Sequence, residues 1–412
     1  MAASCEAIQT RWSRIVLTHL LWLMLTQIAY GRQNKTTVEV NGFIMTDAGY
    51  NFNTIDPDWF DVMRPTKLPA HKGAFAPAGN VYFSVRQTRF GVKSSTLTPK
   101  GELHTQIDID MFGFGKNAGQ TTIHLINAFA QMGKMLVGQT ASILMDQDAV
   151  PVTLDYWGPM ARVFNFNVQL RYMPLWNEKR RLAFAIERPG ATADGGDSEA
   201  SIQLNEVKPV FRMPNVLAQY RTGGKWGHVQ LAAMFKLLKW QDESGATHDL
   251  SGSTIGWGWA LSTVINATER IKLKMQVVQG EGIESHIADA PADVVPAIDT
   301  DNPTQSIKGI AQPVWGFYSF AEIAWSRSWV STIGYSQESV KNGDRQAANA
   351  FKNGQYGLLN MRYVPTSRLM IGIEYQYGRR KNFEEQYTAL GNKLQLSFKY
   401  YFSSKPWPSN QQ

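Results

Sequence analysis

The side chains in this sequence that could do chemistry are cations set along extended stretches. Arg86, Arg89 and Lys93 crowd one segment, and Arg171, Lys272, Lys274 and Arg362 occupy polar positions in others. A guanidinium presents paired donors that match a carboxylate. Several cations lining a passage with low-dielectric walls would concentrate anions there and speed their entry. A second set is acidic: Glu102, Asp108 and Asp110 fall on one face of a single stretch. Opposing a basic wall, they would set a field across an opening, as rings of charged side chains do in selective pores. Asp108 and Asp110 as a divalent-cation site is the weaker reading, because two carboxylates fall well short of the oxygen shell calcium takes. A third set lies in 140–160, TASILMDQDAVPVTLDYWGPM, which mixes apolar residues with Asp146, Asp148 and Asp155. That mixture suits a loop packed inward against a wall, and it makes this stretch the candidate constriction.

Covalent chemistry finds little support. The sole thiol is Cys5, and the seven His residues are scattered without ligand spacing. Gly113-Phe114-Gly115 with Gly119 lacks the following helix that a phosphate loop needs. No arrangement of Ser, His and Asp stands out, although separate strands could assemble one. No catalytic residue, metal site or cofactor is therefore expected.

The elements that must position these side chains alternate with period two. In Lys393–Phe402, Leu394, Leu396, Phe398, Tyr400 and Phe402 point one way, and Lys393, Gln395, Ser397, Lys399 and Tyr401 the other. Ile271, Leu273, Met275 and Val277 likewise oppose Lys272, Lys274 and Gln276, and Leu103, Thr105, Ile107, Ile109 and Met111 oppose Glu102, His104, Gln106, Asp108 and Asp110. Segments of about ten residues are long enough to cross a bilayer as tilted strands. A soluble sandwich also alternates. Here, however, the polar face carries full charges, and the apolar face ends repeatedly in Trp or Tyr: Tyr172, Trp257, Trp259, Trp325, Trp329, Tyr363 and Tyr375. Aromatic girdles of that kind mark the two membrane interfaces.

Sixteen strands are predicted, near 38–50, 81–93, 101–111, 123–132, 134–139, 161–173, 181–188, 213–221, 225–238, 253–265, 269–280, 314–325, 328–337, 355–364, 368–379 and 392–402. Their connections alternate between tight turns and long loops such as 51–80, 189–212 and 281–313. That sorting belongs to an all-β transmembrane antiparallel barrel with short periplasmic turns and long extracellular loops. The rest of the composition agrees. Among 412 residues, 12% are aromatic, too much to leave in water as a disordered chain, and a net charge of +7 without a basic cluster makes nucleic acid a poor partner. Residues 1–31 read as an export signal: Arg11 and Arg14 precede the apolar run Ile15–Leu25, and Ala29-Tyr30-Gly31 offers the small residues of a cleavage site. The barrel would then fill 32–402, with 403–412 as a short tail.

Three blocks of residues resemble a known family. Val38–Tyr50 (VEVNGFIMTDAGY), Asp56-Pro57-Asp58-Trp59 with Arg64-Pro65, and Arg86–Lys93 (RQTRFGVK) look like the opening of DcaP-like outer-membrane porins. Gly138-Gln139-Thr140, Met145-Asp146, Thr153-Leu154-Asp155 and Gly158-Pro159 resemble that family's passage from a strand into an inward loop. The resemblance implies a sixteen-stranded homotrimeric porin that admits small, mostly anionic solutes such as dicarboxylates. Two features depart from it. Only Arg32–Thr37 precede the first strand, where some members carry a coiled-coil extension, and ten residues follow Phe402, which would be the usual terminal aromatic.

The reading is thus a passive outer-membrane channel whose partners are small anionic solutes and membrane lipid. An outer-membrane barrel enzyme, such as a lipase or protease, competes with it. So does an adhesin that uses loops 51–80 and 281–313 to reach partners.

Overall fold

The structure, a computed structural model, describes residues 36–194, 207–243, 249–300 and 307–405. The export signal at 1–31 and residues 406–412 of the tail lie outside them. Sixteen antiparallel strands close into a barrel. The first eight are β1 (Thr36–Asn51), β2 (Asn80–Ser84 and Arg89–Thr98, one strand in two pieces), β3 (Gly101–Phe112), β4 (Thr121–Met132), β5 (Met135–Ala141), β6 (Phe166–Trp176), β7 (Arg180–Glu187) and β8 (Asn215–Gly224). The second eight are β9 (Gly227–Asp242), β10 (Gly252–Asn266), β11 (Ile271–Glu281), β12 (Pro313–Ala324), β13 (Trp329–Val340), β14 (Phe351–Thr366), β15 (Leu369–Asn382) and β16 (Thr388–Ser403). Each pairs with the next, and β1 closes on β16 from Asn41↔Ser403 to Asn51↔Lys393. Closure leaves no edge strand, so every backbone group in the wall can be paired away from water.

Side-chain exposure is inverted relative to a soluble protein. On β16, Leu396 is 53% and Phe398 46% exposed, whereas Lys393 and Gln395 are both 0% exposed. Lipid takes the place of a core on the outside, and the polar side chains fill the inside. The outer aromatics form two belts. Tyr172, Trp325, Trp329 and Tyr363 lie toward the short turns, and Trp257, Trp259, Trp315 and Tyr375 toward the long loops.

All sixteen predicted strands are present. The predicted strand over 161–173 starts only at Phe166, because 161–165 belong to an inward loop held by Ala161 N–H on Glu338 and Phe164 N–H on the carbonyl of His286. Two bulges have a local cause. Pro174 and Pro365 lack an N–H to give the ladder, and the β6–β7 and β14–β15 registers slip beside them. The long connection between β11 and β12 carries its own hairpin, Val294–Ile298 against Ile307–Ala311, and Val207–Pro209 pairs with the upper end of β9.

Candidate functional site

Three long loops turn into the barrel instead of standing above it: 52–79, 142–165 and 282–293. They meet at Arg64. Its guanidinium lies between the rings of Trp59 (4.1 Å) and Trp157 (3.9 Å), and its Nε donates to Asp289 at 2.8 Å. Trp157 Nε1 donates to the carbonyl of Ala288 at 2.6 Å, and Tyr156 stacks on Phe112 with centroids 4.0 Å apart. Loop 52–79 and the stretch 282–293 are packed inward, where the adhesin reading has them reach outward.

The loop 142–165 is tied to most of the far wall. Asp146 accepts from His228 on β9 (2.7 Å) and Ser262 on β10 (2.9 Å). Tyr318 on β12 donates to the carbonyl of Ala149, and Lys274 on β11 to that of Val150. Val152 N–H reaches Glu322 on β12, and Asn360 on β14 donates back to the Val152 carbonyl. Leu154 and Asp155 both give their N–H groups to Glu374 on β15. Gln395 on β16 and Gln87, in the break of β2, donate to the Leu154 carbonyl, and Tyr156 donates its hydroxyl to Asp110 on β3. These contacts satisfy the loop's backbone where water is scarce. Burial pushes the Asp155 carboxyl up to about 7 from 3.8, against the pull of Lys393.

Below this loop, toward the short turns, lies a vestibule. One cavity of about 510 Å³ is lined by Asp148, Arg221, Lys272, Lys274 and Glu322. A neighbouring one of about 240 Å³ shares Arg221 and Asp148 and adds Arg171 and Arg181. Lys272 is exposed, Arg171 is held by Gln169 (3.0 Å) and the carbonyl of Ala141 (2.5 Å), and Lys274 bridges Glu322 at 3.1 Å. Arg362 on β14 faces the lumen with its guanidinium 3.2 Å from Thr332 Oγ1. Arg89 and Lys93 share a lumen parity on β2, and the Arg89 side chain is 36% exposed.

Two expectations need correcting. Arg86 does not line the pore: it is 1% exposed, paired to Asp61 at 2.6 Å and lying over Phe112 at 3.8 Å. The chain breaks from strand geometry at 85–88 and turns Arg86 into the loop layer. The acidic set does not oppose the basic set either. β3 is the hairpin partner of β2, so Asp110 sits in register with Arg89, their charged atoms 3.9 Å apart, and Asp108 with Gly91. Asp110 is wholly buried, and Asp108 accepts from Asn127 at 2.6 Å. Glu102 stands at the lower rim beside His104. Alternation reports which face a residue takes, and that is all it reports.

Asp146, Asp148 and His228 bring their ligand atoms within 4.8 Å of one another, as a cation site would need. Arg221 already stands there, 3.6 Å from Asp146 and 2.5 Å from Asp148, so a guanidinium fills the cation's place. Arg181 and Arg221 line the vestibule without having stood among the candidate cations, and neither did Lys399, which lies over Phe43 at 3.7 Å and was legible only as a residue of the polar face.

A closed barrel with apolar outside, charged inside and a loop folded across its lumen defines the class of outer-membrane porins. The sequence profile of the DcaP outer membrane protein family matches residues 30–275, and the chain belongs to that family. No curated protein sequence matches it. Among solved structures, the outer membrane channel DcaP of Acinetobacter baumannii superposes with a TM-score of 0.74 at 19% identity, over 89% of this chain and 97% of that one. An anion-selective porin from Comamonas acidovorans follows at 0.59 and 9%, over 89% and 100%. OmpF of Salmonella typhi reaches 0.51 and 12%, over 90% and 98%. At these identities the likeness carries the fold. The relatives are channels rather than lipases or proteases.

Proposed function

We propose that this outer-membrane porin is a passive channel for small anions, dicarboxylates among them, that works as a homotrimer after export through a cleaved signal at 1–31. The observation that carries the reading is the unequal use of charge inside the barrel. Three carboxylates of the lumen and inward loop are spent on internal donors: Glu374 on two backbone N–H groups, Asp146 on His228 and Ser262, Asp110 on Tyr156. Lys93 and Lys272 keep their charge open to the passage, and Arg89, 3.9 Å from the buried Asp110, still presents an open, 36% exposed side chain. Open cations between low-dielectric walls attract anions, and arginine presents the donor pair a carboxylate fits. Asp146, Asp148 and Asp155 belong to the loop that narrows the passage. An anion-selective porin among the structural relatives supports the preference, and a trimeric OmpT of Vibrio cholerae supports the assembly.

Reversal potential in a salt gradient across a planar bilayer tests this. The expected sign is anion selectivity, weakened by R89Q/K93Q/K272Q and by raised salt. Cation selectivity in the unmodified protein sinks the proposal.

A further inference from the structure

The outer wall holds a feature that transport through the lumen does not use. The outward side chains of β13, β14 and β15 line up in rows set by strand register. Ile333, Leu359 and Tyr375 form one row, and Tyr335, Gly357 and Tyr377 the next. Above them, toward the long loops, come Gln337, Gln355 and Arg379, then Ser339, Asn353 and Lys381, with Lys341 just past the upper end of β13. Over a few rows the surface passes from aliphatic to tyrosine to amide and then to cation. Hydrocarbon must end near the tyrosines, as it does at the aromatic belts of membrane barrels. The three cations therefore stand at headgroup height.

Their charges are unspent: none of the three forms an ion pair among the described residues. Of the carboxylates near them in sequence, Glu385 is turned toward the buried Asn382 and Asp344 toward the N–H of Ile298. Below the cations, Gly357 leaves a notch between Tyr335 and Tyr377. A Cβ there would meet only Gly334 O at 3.7 Å and Tyr377 Cδ1 at 4.0 Å, so the surface is open enough for an acyl chain to lie in it.

We propose that this face of β13–β15 binds a phosphorylated lipid of the outer leaflet, with Arg379, Lys381 and Lys341 on its phosphate groups and the Gly357 notch beneath its acyl chains. Phosphate suits these cations because charge-assisted hydrogen bonds to it are strong and an arginine can make two in parallel. The proposal rests on the outer-membrane placement and is independent of the anion preference of the lumen.

The test is native mass spectrometry of the full-length protein in detergent with lipid A carrying two phosphates, and with its dephosphorylated form. The unmodified protein should retain the phosphorylated lipid and release the other. K341Q/R379Q/K381Q should lose retention at least about tenfold, and R379Q alone should lose part of it, while K134Q/R368Q at the opposite rim should keep it. The reversal potential should be unchanged in the triple variant, which separates this site from the channel. Equal retention of both lipids, or full retention by the triple variant, overturns the proposal.

Discussion

Glu374 on β15 holds Asp155 through its backbone, with the Asp155 N–H 2.9 Å from Glu374 Oε1 and that of Leu154 2.7 Å from Oε2. Two acidic residues distant in sequence thus meet inside the barrel. The pair fixes the inward loop midway along β15.

Replacing Glu374 with Ala should release that point. Two buried donors would lose their acceptor, at about 1–3 kcal/mol each, while the wall keeps its ladder. Single-channel recording should give a larger and noisier conductance than the unmodified protein, and identical traces would remove the loop from any role in constriction.

The same spot should respond to pH. The Asp155 carboxyl sits near 7 in the folded protein against 3.8 free, so between those values the folded state binds more proton than the unfolded. Docking is then favoured at acid pH and weakens as pH rises through about 7. Lys393, Glu374 and Tyr356 face the group and set its balance. Conductance should be lower at pH 5 than at pH 8, and D155N should flatten the difference.

Arg64 knots three loops, so R64A removes a guanidinium from between two indoles and leaves Asp289 short of its cation. Breaking a buried pair costs about 3–5 kcal/mol. Loop 52–79 should become open to limited proteolysis while the barrel keeps its heat-modifiable migration. An unchanged cleavage pattern would show that the other contacts suffice.

Leu396 lies mid-strand on the lipid face. L396R should cost about 2–4 kcal/mol of barrel stability in vesicles, read by urea titration. A much smaller loss would mean that this face does not meet hydrocarbon.

The wall was legible in the sequence because each strand states its own faces: Leu394 to Phe402 against Lys393 to Tyr401 needs no distant partner to be read. The inward fate of 140–160 was legible from its apolar content. The fate of Arg86 was not, since its neutralising partner Asp61 lies in a loop whose folding no periodicity reports. The assignment of Asp108 and Asp110 to an opposite wall failed for a related reason: hairpin neighbours share a wall, and the field they set is local.

What the sequence determined by itself was the barrel, its sixteen strands and the sorting of its loops, because period-two alternation and turn length are local consequences of having lipid on one side and water on the other. What only the tertiary structure decided was which lumen charges remain open. That depends on contacts such as Arg64 with Asp289, 225 residues apart, and a buried charge finds its counterion through space rather than along the chain.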